Sequence, residues 1–396
     1  MPKVIVGMSG GVDSSVAAAL LLEQGFEVEG MFMKNWSPST LQSLTDCPWE
    51  QDQADAEKVC LELGIPFRSI NFEQEYKEKV VDYFLREYAA GRTPNPDIMC
   101  NKEIKFSVFL DKAREMGADG MATGHYARVR DGVLYRGLDA RKDQSYFLYA
   151  LNKSQLETAY FPVGELEKST VREKAAALNL ATASKKDSQG ICFIGHLDLK
   201  KFLLEQIGAK PGRTYLLPPY VAGEAFSERV RKALVVGEHR GAMFYTIGER
   251  AGEAIDNGVL RSYTNDPDTK PVYVVATEAA SNRLYVSLDR YDQDLMSTFI
   301  ELEGWQTTGG DTDPSIVSTI DMKAKNGLIG VQGRYQQQPV AVKKITAGAG
   351  VVRVETDPLW AVAPGQSLVF YEGDRVWGGG IVCTTEHTIQ SGLSPA

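Results

Sequence analysis

Apolar and amphipathic stretches alternate through the first 130 residues. Val4–Met8 is a short run rich in β-branched residues, which is typical of a buried parallel strand. The run Val16–Leu22 follows it and is made of strong helix formers. Because strands that alternate with helices indicate a parallel sheet covered on both faces, the sequence predicts an α/β, doubly wound fold. Further strands are predicted at 26–33, 66–71 and 120–126, and helices at 52–63, 76–88 and 106–116.

The pattern changes twice farther along the chain. Residues 142–204 read as helical and relatively basic, whereas short β-like runs separated by Gly, Asn and Asp begin after residue 208. We therefore expect three domains. They are an N-terminal domain, 1–207, that includes the helical part, a small central β domain, 208–288, and a C-terminal β barrel, 289–396.

The turn between the first strand and the first helix is rich in small polar residues. It reads Ser9-Gly10-Gly11-Val12-Asp13-Ser14-Ser15. Glycine permits a close backbone approach and positive φ, and the N-terminus of a helix attracts phosphate. The alternative is an ordinary βα turn in which Asp13 or Ser14 caps the helix. Neither G-x-x-x-x-G-K-[ST] nor G-x-G-x-x-G occurs, so a P-loop kinase and a dinucleotide fold are excluded.

The stretch 91–106 carries a carboxylate and a thiol three residues apart. Pro94 and Pro96 restrict the backbone and predict a stiff loop that presents Asp97 and Cys100 beside the start of a helix. Neighbouring lysines and a helix N-terminus should lower the pKa of the Cys100 thiol. The alternative is that Cys100 is a small buried apolar residue, as free cysteines often are.

A second thiol, Cys192, follows the polar turn 185–190, again close to a pair of lysines. Of the other cysteines, Cys60 falls on the apolar face of a helix, Cys383 lies in a terminal strand and Cys47 lies in a loop. No C-x-x-C occurs, which argues against a zinc ribbon or a local iron–sulfur clamp. The sequence therefore offers two widely separated thiols for chemistry.

Composition is ordinary for a globular protein, and we expect a cytoplasmic one. The chain of 396 residues has 43% apolar residues, five cysteines and a net charge of −9. Few cysteines suit a reducing compartment, and neither a targeting leader nor a membrane-spanning run of apolar residues is expected. Charge is uneven, because residues 99–213 hold 19 Lys and Arg against 14 Asp and Glu. That excess is compatible with a phosphate-binding face or with a merely solvated surface.

Several longer stretches together identify a resemblance that runs nearly end to end. S-G-G-V-D-S-S after a strand resembles the pyrophosphate loop of N-type ATP pyrophosphatases, which are adenine nucleotide α-hydrolase-like in fold. With the further stretches, the chain resembles the bacterial-type tRNA-specific 2-thiouridylases, which convert uridine 34 of certain tRNAs to 2-thiouridine. Those stretches are F-M-K-N-W, G-R-T-P-N-P-D-I-M-C-N-K-E-I-K-F, A-T-G-H-Y, K-D-Q-S-Y-F-L, F-P-V-G-E-L-E-K, K-K-D-S-Q-G-I-C-F-I-G and A-V-A-P-G-Q.

The resemblance implies a role for each matching residue. The expected catalytic residues are Asp97 as general acid or base, Cys100 as nucleophile and Cys192 as carrier of a persulfide. Residues expected at ATP are Gly7, Met8, Ser9, Gly10, Gly11, Val12, Asp13, Ser14, Met33 and Gly124. Residues expected at the tRNA are Asn95, Pro96 and Asp97 at a flipped-out uridine, with His125, Lys142, Asp143, Gln144, Arg334, Tyr335 and Gln366 around it.

The implied reaction adenylates the uridine C2 oxygen with ATP and Mg²⁺, releases pyrophosphate, and replaces that oxygen with sulfur as AMP leaves. Either the persulfide or sulfide released from it attacks C2, and a Cys100–Cys192 disulfide is left to be reduced. The implied partners are tRNAs for Lys, Glu and Gln and a sulfur donor such as a cysteine desulfurase or a sulfur-relay protein. Two rival hypotheses remain. Another adenylating pyrophosphate-loop synthetase would not need both thiols, and a non-catalytic tRNA-binding or sulfur-carrier protein would not need Ser9–Ser14.

Overall fold

The computed structural model describes residues 1–37, 49–186, 199–268, 270–311, 314–348 and 350–385. Cys47 and Cys192 lie outside these residues, so the predictions made for them stay predictions.

The N-terminal domain follows the strand–helix alternation expected from the sequence. Its elements are β1 (Lys3–Met8), α1 (Val12–Glu23), β2 (Glu27–Lys34), α2 (Trp49–Leu63), β3 (Phe67–Asn71), α3 (Glu73–Tyr76), α4 (Asp82–Ala89), α5 (Pro96–Met99), α6 (Leu110–Glu115), β4 (Gly120–Ala122), β5 (Ala127–Arg130), β6 (Val133–Arg136), α7 (Lys153–Leu156), β7 (Ala159–Tyr160), α8 (Lys168–Ala177) and α9 (Leu199–Ile207).

Five of these strands form a parallel sheet in the order β3-β2-β1-β4-β7. Side chains of β1 alternate between its two faces, so Val4 and Val6 pack with α1 on one side while Ile5 packs with Phe106 on the other. Apolar cores on both faces confirm the predicted doubly wound α/β sheet. Its carboxyl edge, where ligands bind in such folds, holds the turn after β1 and the ends of β2 and β4.

The helix that carries Cys100 begins earlier than expected. The stiff loop predicted for 91–106 ends at Asn95, whose side-chain oxygen accepts hydrogen bonds from the N–H groups of Asp97 (3.1 Å) and Ile98 (3.3 Å). Pro96 occupies the first helical position, where its missing N–H costs no hydrogen bond. From α5 the helix continues through a wider π-helical stretch, Cys100–Phe109, into α6. Asp97 and Cys100 therefore lie on a helix, and the loop prediction for them was wrong.

Residues 142–204 are of mixed structure in the part that the structure describes. They contain a 3-10 turn, Ser145–Leu148, then α7, α8 and the start of α9. Between the helices, β7 pairs with β4 and extends the parallel sheet, with Ala159 opposite Met121. The segment is thus only partly helical, because its apolar Ala159–Tyr160 completes the edge of the sheet.

The central part forms a four-stranded sheet in the order β10-β11-β8-β9. Its elements are β8 (Gly212–Leu216), α10 (Phe226–Arg231), β9 (Leu234–His239), α11 (Asn257–Thr264), β10 (Tyr273–Glu278) and β11 (Arg283–Ser287). In α10 the fully buried Arg229 donates to both carboxylate oxygens of Asp292 (2.7 and 2.8 Å), to Asp294 and to Pro218 O. This buried cluster joins α10 to the segment that leads into the barrel.

The C-terminal part closes into a barrel, as predicted. Strand β12 pairs with both β15 and β17 and completes the ring β12-β15-β14-β13-β16-β17. The hairpin β5–β6 of the N-terminal region adds to this sheet through Arg375 opposite Tyr135. The elements are β12 (Met296–Thr307), α12 (Pro314–Lys325), β13 (Gly330–Gln332), β14 (Val340–Gly348), β15 (Val351–Trp360), β16 (Ser367–Glu372) and β17 (Arg375–Thr385). Among the described residues, no helix has the length and apolar character needed to cross a membrane.

Candidate active site

The turn after β1 holds two serine hydroxyls against the start of α1. The Ser14 hydroxyl oxygen accepts from the Ser9 N–H (3.2 Å), lies 3.1 Å from the Ser9 hydroxyl, and donates to Gly11 O (3.1 Å). Gly11 is the residue that precedes the helix, and no side chain caps this N-terminus in the described part. The alternative that Asp13 or Ser14 caps the helix is therefore wrong. The start of this twelve-residue helix presents N–H groups and a positive dipole end to an anion.

Asp13 is held by two residues that the sequence analysis did not single out. Lys168 Nζ lies 2.7 and 2.8 Å from the two carboxylate oxygens of Asp13, and the Tyr126 hydroxyl donates to Oδ1 at 2.8 Å. Lys168 is the first residue of α8, which packs beside α1. Both residues lie in quoted stretches, A-T-G-H-Y and F-P-V-G-E-L-E-K, but nothing in the sequence indicated that they meet Asp13. The ammonium group of Lys168 thus lies beside the turn that follows β1.

Gly124 and Met33 flank the same loop. A Cβ atom on Gly124 would lie 2.6 Å from Ser14 N, so only glycine lets the end of β4 approach α1 this closely. The buried Met33, near the end of β2, brings its methyl carbon within 3.6 Å of the Cβ position of Gly7. The predicted nucleotide residues Gly7, Met8, Ser9, Gly10, Gly11, Val12, Asp13, Ser14, Met33 and Gly124 are therefore neighbours at the carboxyl edge.

Cys100 is buried, with 1% of its surface exposed, in an apolar cluster that includes Trp36, Tyr88 and Ile104. Trp36 follows the end of β2, and the cluster also contains residues of the central sheet. Asp97 is half-buried one helical turn before Cys100, so their side chains lie on the same face of the helix. The structure brings the predicted carboxylate and thiol together, with the thiol covered.

A buried contact connects this helix to the end of β4. Lys105 Nζ lies 3.5 Å from His125 Nε2, and Thr123 Oγ1 lies 2.7 Å from His125 Nδ1. Burial, and then the charge of Lys105, hold the pKa of His125 well below its usual value, so the ring is neutral. Because an ammonium group can only donate, Nε2 accepts and the proton lies on Nδ1, which donates to Thr123. His125 is thus an interior residue in this conformation.

The residues 142–144, predicted to touch tRNA, lie beside this site but are partly engaged within the fold. Buried Asp143 accepts from the N–H groups of Gly137 (2.9 Å) and Ser145 (3.1 Å) and pairs with Arg136 (3.2 Å). Gln144 Oε1 accepts from Tyr126 N at 3.0 Å. Lys142 is half-buried.

The predicted tRNA residues of the barrel meet the other parts of the chain. Arg334 donates to Ala361 O (3.1 Å) and to Ile247 O of the central part, and burial lowers its pKa. The Tyr335 ring lies 4.6 Å from the Phe147 ring. Gln366 Nε2 donates to Thr93 O at 2.7 Å. Contact of these residues with tRNA stays a prediction.

Known protein families match three ranges of the chain. Residues 2–196 match the family described as "tRNA methyl transferase HUP domain", 226–288 match "tRNA methyl transferase PRC-barrel domain", and 314–382 match "Aminomethyltransferase beta-barrel domain". Two curated relatives are named "tRNA-specific 2-thiouridylase MnmA". The chain is 44% identical to that of Streptococcus uberis over 385 residues, 96% of this chain and 95% of the relative. It is 44% identical to that of Bacillus pumilus over 389 residues, 96% and 94% of the two chains.

One solved structure is also similar. It is described as "Crystal structure of a 4-thiouridine synthetase - RNA complex with bound ATP", with 21% identity and a TM-score of 0.31. The match covers 52% of this chain and 50% of that one.

Proposed function

The chain belongs to the tRNA-specific 2-thiouridylase family, and we propose that it thiolates uridine 34 of tRNA. The reaction would begin with adenylation of the uridine C2 oxygen by ATP. The protein is a tRNA sulfurtransferase that forms 2-thiouridine in tRNA and uses ATP. One observation carries the proposed mechanism. A continuous series of contacts leads from Ser14 to Gly124 and its neighbour His125, then to Lys105 on the helix that holds Cys100. These contacts support placing the predicted nucleotide loop and the thiol at one site.

The α-phosphate of ATP would bind at the start of α1, where the Ser9 hydroxyl adds a donor to the helix N–H groups. The uncapped helix end and the close approach of Gly124 fit a phosphate at this position. Mg²⁺ would neutralise charge on the departing pyrophosphate. Both carboxylate oxygens of Asp13 are already paired with Lys168, so we propose that phosphate oxygens would hold Mg²⁺.

Asn95, Pro96 and Asp97 would meet the extruded uridine. The C2 oxygen attacks the α-phosphorus, the bond to the β-phosphate oxygen breaks, and pyrophosphate leaves. Asp97 would hold the proton of the uracil N3–H while the C2 oxygen is replaced, or return it afterwards. His125, Lys142, Asp143, Gln144, Arg334, Tyr335 and Gln366 remain proposed tRNA neighbours. Lys142 is half-buried, and Arg334 and Gln366 already donate to backbone carbonyls.

Sulfur transfer has two balanced routes. In one, the terminal sulfur of a Cys192 persulfide adds to C2, AMP leaves, and Cys100 attacks the Cys192 sulfur to release the thiocarbonyl. In the other, Cys100 attacks first and frees sulfide, which then adds to C2 and displaces AMP. Both end in a Cys100–Cys192 disulfide, which a thiol reductant must reopen before a sulfur donor such as a cysteine desulfurase or a relay protein reloads Cys192. We propose tRNAs for Lys, Glu and Gln as acceptors.

The proposal is tested by incubating the protein with tRNA, ATP, Mg²⁺ and a cysteine desulfurase with cysteine, whose persulfide sulfur can load Cys192 by thiol exchange, followed by mass spectrometry of the tRNA nucleosides. We expect 2-thiouridine from the wild type and from Cys383→Ser, a control in β17, and loss of the product in Asp13→Ala and Cys100→Ser. Cys192→Ser separates the rival function, because an adenylating synthetase of another kind would keep its activity. Thiolation by Asp13→Ala would refute the adenylation mechanism.

A further inference from the structure

The segment that leads into the predicted uridine-binding residues is held by both other parts of the chain. The Thr93 N–H donates to Pro364 O of the barrel (2.8 Å), and Thr93 O accepts from the Gln366 side chain (2.7 Å). On another side, the Thr93 hydroxyl lies 3.3 Å from that of Thr246 in the central part. Thr93 therefore lies where three parts of the molecule meet.

The barrel side of this contact is itself firmly anchored. In the turn 363–366, Gln366 N donates to Ala363 O (3.1 Å) and Gly365 N donates to Val382 O (2.8 Å). Val382 N in turn donates to Gln366 O (2.8 Å). Gly365 packs so closely on Thr93 that a Cβ atom there would lie 2.8 Å from Thr93 N. The turn is thus fixed to β17 and has little room to move relative to Thr93.

Only Pro94 separates Thr93 from Asn95, the first residue of the predicted uridine-binding segment. Pro94 follows Thr93 directly and fixes its own φ angle. Asn95 comes next, and its side chain caps α5 through the N–H groups of Asp97 and Ile98. A displacement of Thr93 must therefore shift the cap and the start of the helix that carries Asp97 and Cys100.

We propose that Gln366 is a positioning residue for thiolation. Its amide, fixed to the barrel, holds Thr93 so that Asn95 and Asp97 meet the uridine. This inference rests on the proposed function, which places the uridine at Asn95–Asp97. It deepens that function, because the barrel then sets the geometry of the reaction as well as offering a surface to tRNA.

The test replaces the Gln366 donor with an acceptor of nearly equal size. In Gln366→Glu the carboxylate cannot donate to Thr93 O and repels it. The matched control is Gln306→Glu. Gln306 is also a half-buried barrel glutamine, and its Nε2 donates to Ala150 O of the N-terminal part at 2.8 Å instead of to Thr93. Gln366→Met, which lacks the donor without adding charge, is the second variant.

We expect kcat for thiolation at saturating tRNA and ATP to fall about tenfold or more in both Gln366 variants, the scale of one lost hydrogen bond. KM and Kd for tRNA should rise by a clearly smaller factor than the fall in kcat. Gln306→Glu should keep its kcat. Hydrogen exchange of amides 93–100 in the full-length protein should accelerate only in the Gln366 variants, and this measurement does not depend on catalysis.

A rise in KM or Kd for tRNA with unchanged kcat would make Gln366 a tRNA contact only and would overturn the positioning role. An equal loss of activity in Gln306→Glu would show that any weakened contact between the barrel and the N-terminal part lowers the rate, and this would also overturn the positioning role. Unchanged hydrogen exchange of amides 93–100 in the Gln366 variants would overturn it as well. If the wild type itself forms no 2-thiouridine, the proposed function fails, whereas the exchange measurement still decides whether Gln366 holds the loop.

Discussion

Lys168 Nζ lies 2.7 and 2.8 Å from the two carboxylate oxygens of Asp13, in the turn that begins α1. The pair joins the first residue of α8 to the predicted nucleotide loop, with 12% of the Lys168 side chain and 31% of the Asp13 side chain exposed. A phosphate bound at the start of α1 would lie near this ammonium group. Lys168 is therefore available both to hold Asp13 and to neutralise a bound phosphate.

We expect Lys168→Gln to lower the rate of pyrophosphate release about a hundredfold, because removing a charge that stabilises a transition state typically costs that much. Stability should change little, since ion pairs that remain partly exposed contribute about 1 kcal/mol or less. The measurement is pyrophosphate release with saturating ATP and tRNA, together with urea unfolding.

Lys174→Gln is the control for Lys168. Lys174 also joins α8 to α1, through Glu23 at 3.3 Å, but at the far end of α1. If both lysine variants release pyrophosphate at the wild-type rate, Lys168 has no role in the reaction.

Arg229 is a fully buried cation of the central part, paired with two buried carboxylates. Replacing it with methionine leaves the buried Asp292 and Asp294 without their cation, so we expect the free energy of unfolding to fall by about 3–5 kcal/mol. Although burial opposes it, the hydrogen bonds from Arg229 and Ser287 lower the pKa of Asp292, which is therefore charged at neutral pH. Urea unfolding of Arg229→Met measures the loss. Lys232→Met is the control: Lys232 lies one residue beyond α10, its side chain is 64% exposed and pairs with Glu224, and its loss should lower the stability much less. Equal stability of the two variants would contradict the structure.

His125 should make the protein sensitive to mild acid. Its folded-state pKa lies well below the unfolded value of about 6.5, so below that pH the unfolded chain binds a proton that the folded chain does not. Stability therefore falls as the pH drops below about 6.5, by up to about 1.4 kcal/mol per pH unit. The difference between wild type and His125→Gln across pH 5–8 isolates this contribution. Imidazole ¹⁵N shifts should show a neutral ring protonated on Nδ1, and a positively charged ring at pH 6 would contradict the buried contact.

Cys60 should resist alkylation until the protein unfolds. Burial, and then the charge of Glu57, raise the pKa of its thiol to about 12, and the side chain is fully buried between α2 and β2. Treatment with iodoacetamide at pH 8 followed by peptide mass spectrometry should modify the half-buried Cys383 before Cys60. Modification of Cys60 at the same rate as Cys383 in native protein would show that α2 opens readily.

The pattern of side chains along the chain was enough to predict the helices and strands whose conformation depends mainly on nearby residues. The run Val4–Met8, the helix after it and the end of the predicted helix 52–63 follow from side-chain periodicity and from the left-handed conformation of Gly64, and all are present. The pattern failed at Pro96, where two prolines indicated a loop. There the Asn95 cap and the tolerance of a first helical turn for proline start a helix instead.

The sequence by itself determined the order of the α/β, central β and barrel parts, the polar turn after β1 and the closeness of Asp97 to Cys100, because each depends on residues close together in the chain. Only the tertiary structure decided that Lys168 meets Asp13, that Lys105 meets His125, and that Gln366 holds Thr93. These pairs are separated by 155, 20 and 273 positions, and no local periodicity relates their members. They meet because sheet order and the closure of the barrel bring distant segments to one edge, and side-chain packing then fixes which atoms touch.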